Sequence, residues 1–274
     1  STPIRSGAFS ITAGAPAKFA VLQSASATAA NNSAIRDSAG TDYLKFKITD
    51  AAGNTVTTSG DVTVTVSAAV KTGQTGVTLT SLSGETKTET SGEVLFNNLK
   101  LRGKVGTYVL SYAATAGSTS LTPAAGTATS ADISLTAGAA DHLNVTSATG
   151  AVNGVNFTGQ PRLVVEDVDN NVVTGATGNA VVSVVSTNSA DVTLTGPTIG
   201  TGGSAVANAV ALASGTANFA SDGNALKLTG KVGTYTLRYS AAGLTADQSI
   251  ALTVGAPTKI TMTTSAPQTT VVTA

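Results

Sequence analysis

Asp167, Asp169, Asn170 and Asn171 crowd carboxylate and carboxamide oxygens into one short stretch. Oxygens at alternate positions are what a calcium loop offers, since the ion takes about 6–8 oxygen ligands from closely spaced side chains. The competing reading is a polar hairpin tip, because the distant Glu that completes an EF-hand-like loop does not follow. Asp50 and Asn54 repeat the pattern with fewer oxygens. His142 is the one histidine and there is no cysteine. Thiolate metal sites, disulfides and Cys nucleophiles are therefore excluded, and a lone imidazole reads as a surface or junction contact. Ser, Thr and Asp combinations carry no catalytic information in so Ser-rich a chain. Two repeats that share frame residues but no polar cluster argue against a duplicated enzyme, so no catalytic residue is assigned.

The elements that carry these residues are organised by a repeat. Gly103-Lys104-Val105-Gly106-Thr107-Tyr108 returns as Gly230-Lys231-Val232-Gly233-Thr234-Tyr235, each followed by an alternating run. Gly103 and Gly230 mark a glycine turn that feeds a strand. Tyr108, Leu110 and Tyr112, like Tyr235, Leu237 and Tyr239, then share one face of that strand. Upstream lie Val94-Leu95-Phe96 and Ala217-Asn218-Phe219, then Leu99-Lys100-Leu101 and Leu226-Lys227-Leu228. These elements are expected beside one another as antiparallel strands. Phe19 to Leu22 reads as the opening strand, matched in the second repeat by Leu143 to Val145, and Tyr43 to Asp50 as the next, matched by Arg162 to Asp167. Asp, Asn and Gly after the latter supply the positive φ angles of a hairpin, with Thr55-Val56-Thr57 and Val172-Val173-Thr174 as return arms. Val62 to Val66 and Val181 to Val185, then Val77 to Leu79 and Val192 to Leu194, continue the series. Extra length falls in loops at Ala25 to Thr41, Gly117 to Ser130 and Gly200 to Ala213, the last with an apolar stretch, Ala205 to Leu212, that reads as an added hairpin arm.

Ser6 to Pro16, Ala131 to Ala140 and Gln248 to Pro257 align as three occurrences of one junction. Domains of residues 14–137 and 138–254 follow. Residues 1–13 read as the last strand of a preceding repeat, missing or donated, and 255–274 as the first strand or strands of a following one. Ser1 in place of Met reads as a processed protein or an excerpt. Only a Gly-Ala-(Pro/Ala) seam separates the repeats, which implies a semi-rigid rod.

Composition narrows the function. Only 11% of the 274 residues are charged, against about 25% in an ordinary soluble protein, and 4% are aromatic. Val, Leu, Ile and Ala must fill the core, as a thin two-sheet layer allows. Low charge with high β propensity suits a chain that packs against neighbours. A formal net charge of zero gives no support to nucleic-acid capture. No run reaches the roughly 18 apolar residues of a membrane-spanning helix, so membrane insertion is not expected.

In order, the Gly-Ala-Pro start, the Asp-x-x-Gly-Asn hairpin at Asp50 to Asn54, the Val-Thr-Val strand, Ser-Gly-x-x-x-Phe, Gly-x-Tyr-x-Leu and the Ile-x-Leu-Thr close resemble the bacterial immunoglobulin-like repeats of invasin- and intimin-type adhesins and of surface-layer proteins. The second copy departs from the pattern where Asn171 follows Asn170 in place of glycine. The resemblance implies tandem immunoglobulin-like β-sandwich domains, an extracellular, cell-surface location and a structural or adhesive role, with calcium as a possible ion. It also raises an isopeptide bond at Lys45, Lys47, Lys104 or Lys231, against which solvated strand-end lysines are the plainer reading. Asn31-Asn32-Ser33, Asn144-Val145-Thr146 and Asn156-Phe157-Thr158 fit the glycosylation sequon. The expectation is an all-β structural subunit of a surface layer, sheath or filament that associates with itself, by head-to-tail strand donation among other routes. The alternative is the stalk or tip of an adhesin whose loops bind a cell-wall or host glycan or a host protein.

Overall fold

Alternating β-branched and small polar residues, cut every few positions by Gly, Asn or Asp, leave strands as the element this chain can sustain. The computed structural model describes residues 7–57, 61–127, 130–200, 205–220 and 225–261, and they are all β apart from one 3-10 turn, Ser189–Asp191. They divide into two compact units. The first runs to Asn144 and includes Val164–Thr177 and Ala213–Gly215; the second takes Val145–Leu163, Gly178–Leu212 and the chain from Thr216 onward.

In chain order the first twelve strands are β1 Lys18–Gln23, β2 Thr28–Ala30, β3 Lys45–Thr49, β4 Val62–Val70, β5 Leu79–Ser83, β6 Thr86–Thr88, β7 Glu93–Leu95, β8 Lys100–Gly103, β9 Gly106–Ala116, β10 Thr119–Ser120, β11 Thr122–Pro123 and β12 Ser130–Thr136. One sheet has the order β11-β1-β3-β7 and a second β2-β12-β9-β4-β6, with β5 and β8 forming a separate pair. Phe19, Phe46 and Val94 of the first sheet and Val64, Leu110, Tyr112 and Ile133 of the second are buried in one apolar cluster. The Phe46 and Tyr112 rings meet edge to face at 5.0 Å across it. The first unit is thus a two-layer β-sandwich. Strand β9 shows the period-two logic: Tyr108, Leu110, Tyr112 and Ala114 point inward, the residues between them outward.

The remaining strands are β13 His142–Thr146, β14 Arg162–Glu166, β15 Asn179–Val184, β16 Val192–Thr195, β17 Thr198–Ile199, β18 Val206–Ala207, β19 Ala209–Ala211, β20 Thr216–Asn218, β21 Lys227–Gly230, β22 Gly233–Ala241 and β23 Leu244–Leu252. In the second unit β19-β15-β22-β23 form one sheet, β16 pairs with β21 and β17 with β18. Tyr235, Leu237 and Tyr239 are the buried face of β22, as Tyr108, Leu110 and Tyr112 are of β9.

Several sequence expectations need correction. Strands β7, β8 and β9 do not pair with one another: β7 pairs with β3, β8 with β5, and β9 with β4 and β12. Successive elements cross between sheets instead, so that Val94 and Tyr108 reach one core from different strand sets. The return arms after the two hairpins are short, single bridges Thr49 to Thr55 and Glu166 to Val172 with one further backbone bond each, Val56 N to Ile48 O and Val173 N to Val165 O. The apolar stretch from Ala205 is only in part the expected hairpin arm: Val206–Ala207 pairs antiparallel with Thr198–Ile199. Its Ala209–Ala211 part is an edge strand on β15, which buries Ala209; residues 201–204 lie outside the described set. Residues 7–13 form no strand, with Phe9 and Ile11 about four-fifths exposed, and residues 1–6 lie outside the described set. Residues 255–261 likewise form no strand, and 262–274 are outside it.

Candidate functional site

The most densely bonded polar group in the first unit is built around Asn31. Its backbone is fixed from two sides: Asn31 N donates to Thr136 O at 2.9 Å, and Asn32 N, in the left-handed region at φ 59°, donates to Leu101 O at 3.0 Å. The side chain, 2% exposed, then has no freedom. Gly103 N donates to Asn31 Oδ1 at 3.1 Å, which sets the amide orientation, since an N–H needs the oxygen. Nδ2 is left to donate to Asp167 Oδ2 at 2.9 Å and to Asp169 Oδ2 at 2.8 Å.

The aspartates come from the turn after β14. Asp167 Oδ1 accepts from Asp169 N at 3.0 Å and Asn171 N at 2.9 Å, an Asx turn that closes the hairpin on itself, and Asn170 takes φ 58° at its tip. Gly138 N donates to Asp167 Oδ2 at 2.8 Å. Asn171 accepts at Oδ1 from Val105 N at 2.9 Å and donates from Nδ2 to Gly103 O at 2.9 Å. Arg102 grips Asp169 with Nε at 3.1 Å and Nη2 at 3.0 Å, the fork geometry of a strong ion pair, and Lys104 Nζ donates to Asn170 O at 2.8 Å. Gly103 O, Lys104 Nζ and Val105 N of the Gly103 turn all bond the hairpin.

These bonds decide the ionisation. Burial pushes the Asp167 carboxyl up, but N–H donors from Gly138, Asn171 and Asn31 outweigh it and hold it down at about 2. Burial likewise pushes Asp169 up, and Arg102 and Asn31 bring it below its ordinary value. Both groups are carboxylates at neutral pH, side by side, with the Asn31 amide and the Arg102 guanidinium between and beside them.

This bonding competes with the calcium loop read from Asp167, Asp169, Asn170 and Asn171. The oxygens a cation would need already accept N–H groups, the Asn170 side chain makes no bond in the cluster, and Asn31 Nδ2 and Arg102 place donors where a cation would repel them. As arranged here the four residues fit a docked hairpin and not a cation cage. Among the described residues no group of three or more His, Cys, Asp or Glu is disposed to hold a metal ion. The cleft beside Asn31, lined by Asn32, Ser33, Ala139 to Asp141, Asp167 and Val168, measures about 140 Å³. That is small against the roughly 300–1,000 Å³ of a small-molecule pocket.

Parts of the same arrangement recur. Asp50 Oδ1 accepts from Ala52 N and Asn54 N, both at 2.9 Å, and Oδ2 from Gly14 N at 2.9 Å. The Asn54 side chain and the Gly14 amide hold the Asp50 carboxyl well below the usual range. In the second unit Asn153 N donates to Thr253 O at 3.0 Å, Gly154 N to Leu228 O at 2.9 Å, and Gly230 N to Asn153 Oδ1 at 2.9 Å. Asn153 thus repeats the backbone bonds and the Oδ1 bond of Asn31.

The frame residues act through close approach. A Cβ on Gly103 would collide with Thr78 O and the Tyr108 hydroxyl, and one on Gly230, at φ 149°, with Asp191 O. Tyr108 Oη reaches Lys104 O at 2.6 Å and Thr78 O at 2.9 Å; Tyr235 Oη reaches Lys231 O at 2.6 Å. His142 lies between the Asp141 and Glu166 carboxylates at 3.1 and 3.3 Å. Lys45 pairs with Asp42 and Glu93, and Lys231 with Asp191, while Lys104 bonds the hairpin. Asn31 is buried with both amide atoms bonded, so its sequon is closed to glycan in the folded chain. Sequence reading missed Asn31 and Arg102 as site residues. The signal was there in Ala29-Ala30-Asn31-Asn32 against Ala151-Val152-Asn153-Gly154, hidden by the unequal loops that follow.

No protein-family model matches the chain, and no curated protein sequence matches it significantly. Among solved structures, domains 5–6 of the S-layer protein SbsC align over 88% of this chain and 98% of that one, at 15% identity and a TM-score of 0.24. SbsC domains 4 and 5 align over 88% and 100%, at 13% identity and TM-score 0.29. A glycosyl hydrolase family 2 member from Bacteroides cellulosilyticus aligns over 77% of this chain but only 23% of its own length, at 14% identity and TM-score 0.32. At these values the matches carry no argument about what the chain does. No helix among the described residues is long and apolar enough to cross a membrane.

Proposed function

We propose that this chain is a structural repeat segment of an extracellular surface assembly, a surface layer, sheath or filament, made of immunoglobulin-like repeats at residues 14–137 and 138–254 that associate with one another and with further copies. One observation carries the reading. The Asp167 to Asn171 hairpin, which by sequence belongs to the second repeat, is bound by buried Asn31 and by the Gly103 turn, which belong to the first. The chain spends its best-satisfied polar cluster on joining repeats, and each repeat carries both halves of the joint. A chain low in charge and rich in β-forming residues suits the same role. The role requires no catalytic group.

Negative-stain imaging of the native material, with antibody labelling of this chain, tests the proposal. Labelled ordered sheets or filaments are expected, and they should persist in EDTA because N–H donors and Arg102 hold the aspartates. Label confined to isolated particles that bind host cells or glycan would overturn it in favour of an adhesin stalk.

A further inference from the structure

Strands β6 and β7 meet at one edge of the first unit, from opposite layers. Each is the last strand of its sheet, β6 in the order β2-β12-β9-β4-β6 and β7 in the order β11-β1-β3-β7. The turn that joins them is pinned. Glu89 Oε2 accepts from Gly92 N at 2.6 Å, Thr90 N donates to Glu93 O at 2.8 Å, and Ser91 and Gly92 take φ 53° and 84°. A Cβ on Gly92 would collide with Val56 O, so the turn sits tight on the chain beneath it and holds the two edges in place. Between them runs an open groove of about 420 Å³, within the roughly 300–1,000 Å³ of a small-molecule site.

Two lysines reach the groove from different sheets. Lys87 lies opposite Val64, whose side chain is in the core, so its stem leaves β6 on the inner side and meets the groove at the uncovered edge. Lys45 lies opposite Leu95 on the outer side of β3 and β7, because Phe46 and Val94 beside them point inward. Lys45 has Glu93 at 3.6 Å and Asp42 at 3.9 Å, both beyond hydrogen-bond length, and keeps its N–H groups for another acceptor. Lys87 makes no ion pair among the described residues. Thr88 and Thr90 add hydroxyls, Asn97 an amide and Glu93 an acceptor, while Leu95, 39% exposed, offers an aliphatic surface.

We infer that this groove binds a sugar residue bearing a carboxylate, of the uronic acid class. A pyranose carries hydroxyls that both donate and accept, and a C–H face; the lining sets donors, acceptors and one aliphatic side chain in a single groove. The charges decide the substituent. Glu93 balances Lys45, and Lys87 is left as a cation without an anion, so a carboxylate on the sugar takes Lys87 while Lys45, Glu93 and Asn97 take the ring hydroxyls. A neutral sugar leaves that cation unused. The site goes beyond the structural role and stands whether or not copies of the chain assemble: it fastens the first repeat to an acidic polysaccharide.

NMR titration of the backbone amides of the full chain tests it, with glucuronate, glucose and acetate as probes. Glucuronate should shift amides within residues 87–97 and at Lys45, with a dissociation constant on the order of 1–10 mM for one sugar in an open groove. Glucose should shift the same amides with about fivefold weaker affinity, and acetate more weakly than either. Lys87→Gln, which keeps most of the stem, should lower glucuronate to the level of glucose and leave glucose unchanged, with amides elsewhere in their wild-type positions as the sign of a folded chain. Acetate as effective as glucuronate would mean an adventitious ion only and overturn the inference. Glucuronate shifts scattered over the surface, no shift at about 50 mM, or a Lys87→Gln chain that binds as wild type would overturn it too.

Discussion

Asn31 and Asp167, 136 positions apart, share a 2.9 Å hydrogen bond with both side chains buried, and the orientation of that amide is set by Gly103 N on its other side. The bond ties a loop after β2 to the turn after β14, and the remaining contacts of the cluster assemble around it.

Asn31→Ala removes an acceptor from Gly103 N and a donor from two carboxylates, all out of water. A loss of about 2–4 kcal/mol is expected in urea unfolding of the first unit. Asn31→Asp should cost more at pH 7, because it sets a third carboxylate against Asp167 and Asp169. An alanine variant within about 0.5 kcal/mol of wild type would show the cluster to be incidental.

The carboxylates set a pH dependence. Asp167 has a folded pKa near 2 against an ordinary value of 3.8, and Asp169 and Asp50 are shifted in the same direction. A depressed folded pKa adds stability that is complete above the unfolded value and drains as the pH falls. The urea midpoint should therefore hold steady from pH 7 to about 5, then fall between about 4 and 2. Asn31→Ala should flatten that fall, and an unchanged midpoint at pH 2.5 would contradict it.

Two glycines at equivalent sequence positions should behave differently. A Cβ on Gly138 runs into the Asn31 backbone carbonyl, which the Gly103 turn and β12 hold in place. Gly138→Ala should cost about 1–3 kcal/mol. The nearest atoms to a Cβ on Gly14 are those of Asp50 at 3.7 Å, an ordinary contact, so Gly14→Ala should stay within about 0.5 kcal/mol. Equal costs would mean that the Asn31 carbonyl is free to move.

Tyr108 reaches two carbonyls and Tyr235 reaches one. Tyr108→Phe should cost about 1–2 kcal/mol and Tyr235→Phe about 1 kcal/mol or less, measured by thermal unfolding of each variant. A reversed order would contradict the carbonyl assignment.

Much of the frame was legible because period-two runs and glycine turns are local. Tyr108, Leu110 and Tyr112, the hairpin at Asp50, and the junction glycines all announce themselves within a few residues. Pairing partners were not legible, because β7, β8 and β9 differ in their neighbours by long-range packing that no local pattern records. The site was half legible. Asp167, Asp169 and Asn171 stand out as a cluster, but their meaning depends on Asn31, which sits in a loop of unequal length in the two repeats. With the oxygens in view and the amide donors out of view, the sequence left a calcium loop and a polar hairpin tip both open.

Native-state hydrogen exchange at named backbone amides, followed by NMR on dilute chain, tests the central claim most directly, because the second unit supplies the control. Val105 N and Gly138 N, which donate to the hairpin, should exchange slowly. Val232 N and Gly255 N, their counterparts in the second unit, which have no acceptor among the described residues, should exchange fast, and Gly230 N, held by Asn153, slowly. Val105 and Gly138 exchanging as fast as Val232 and Gly255 would mean that the hairpin does not sit in the Asn31 cradle.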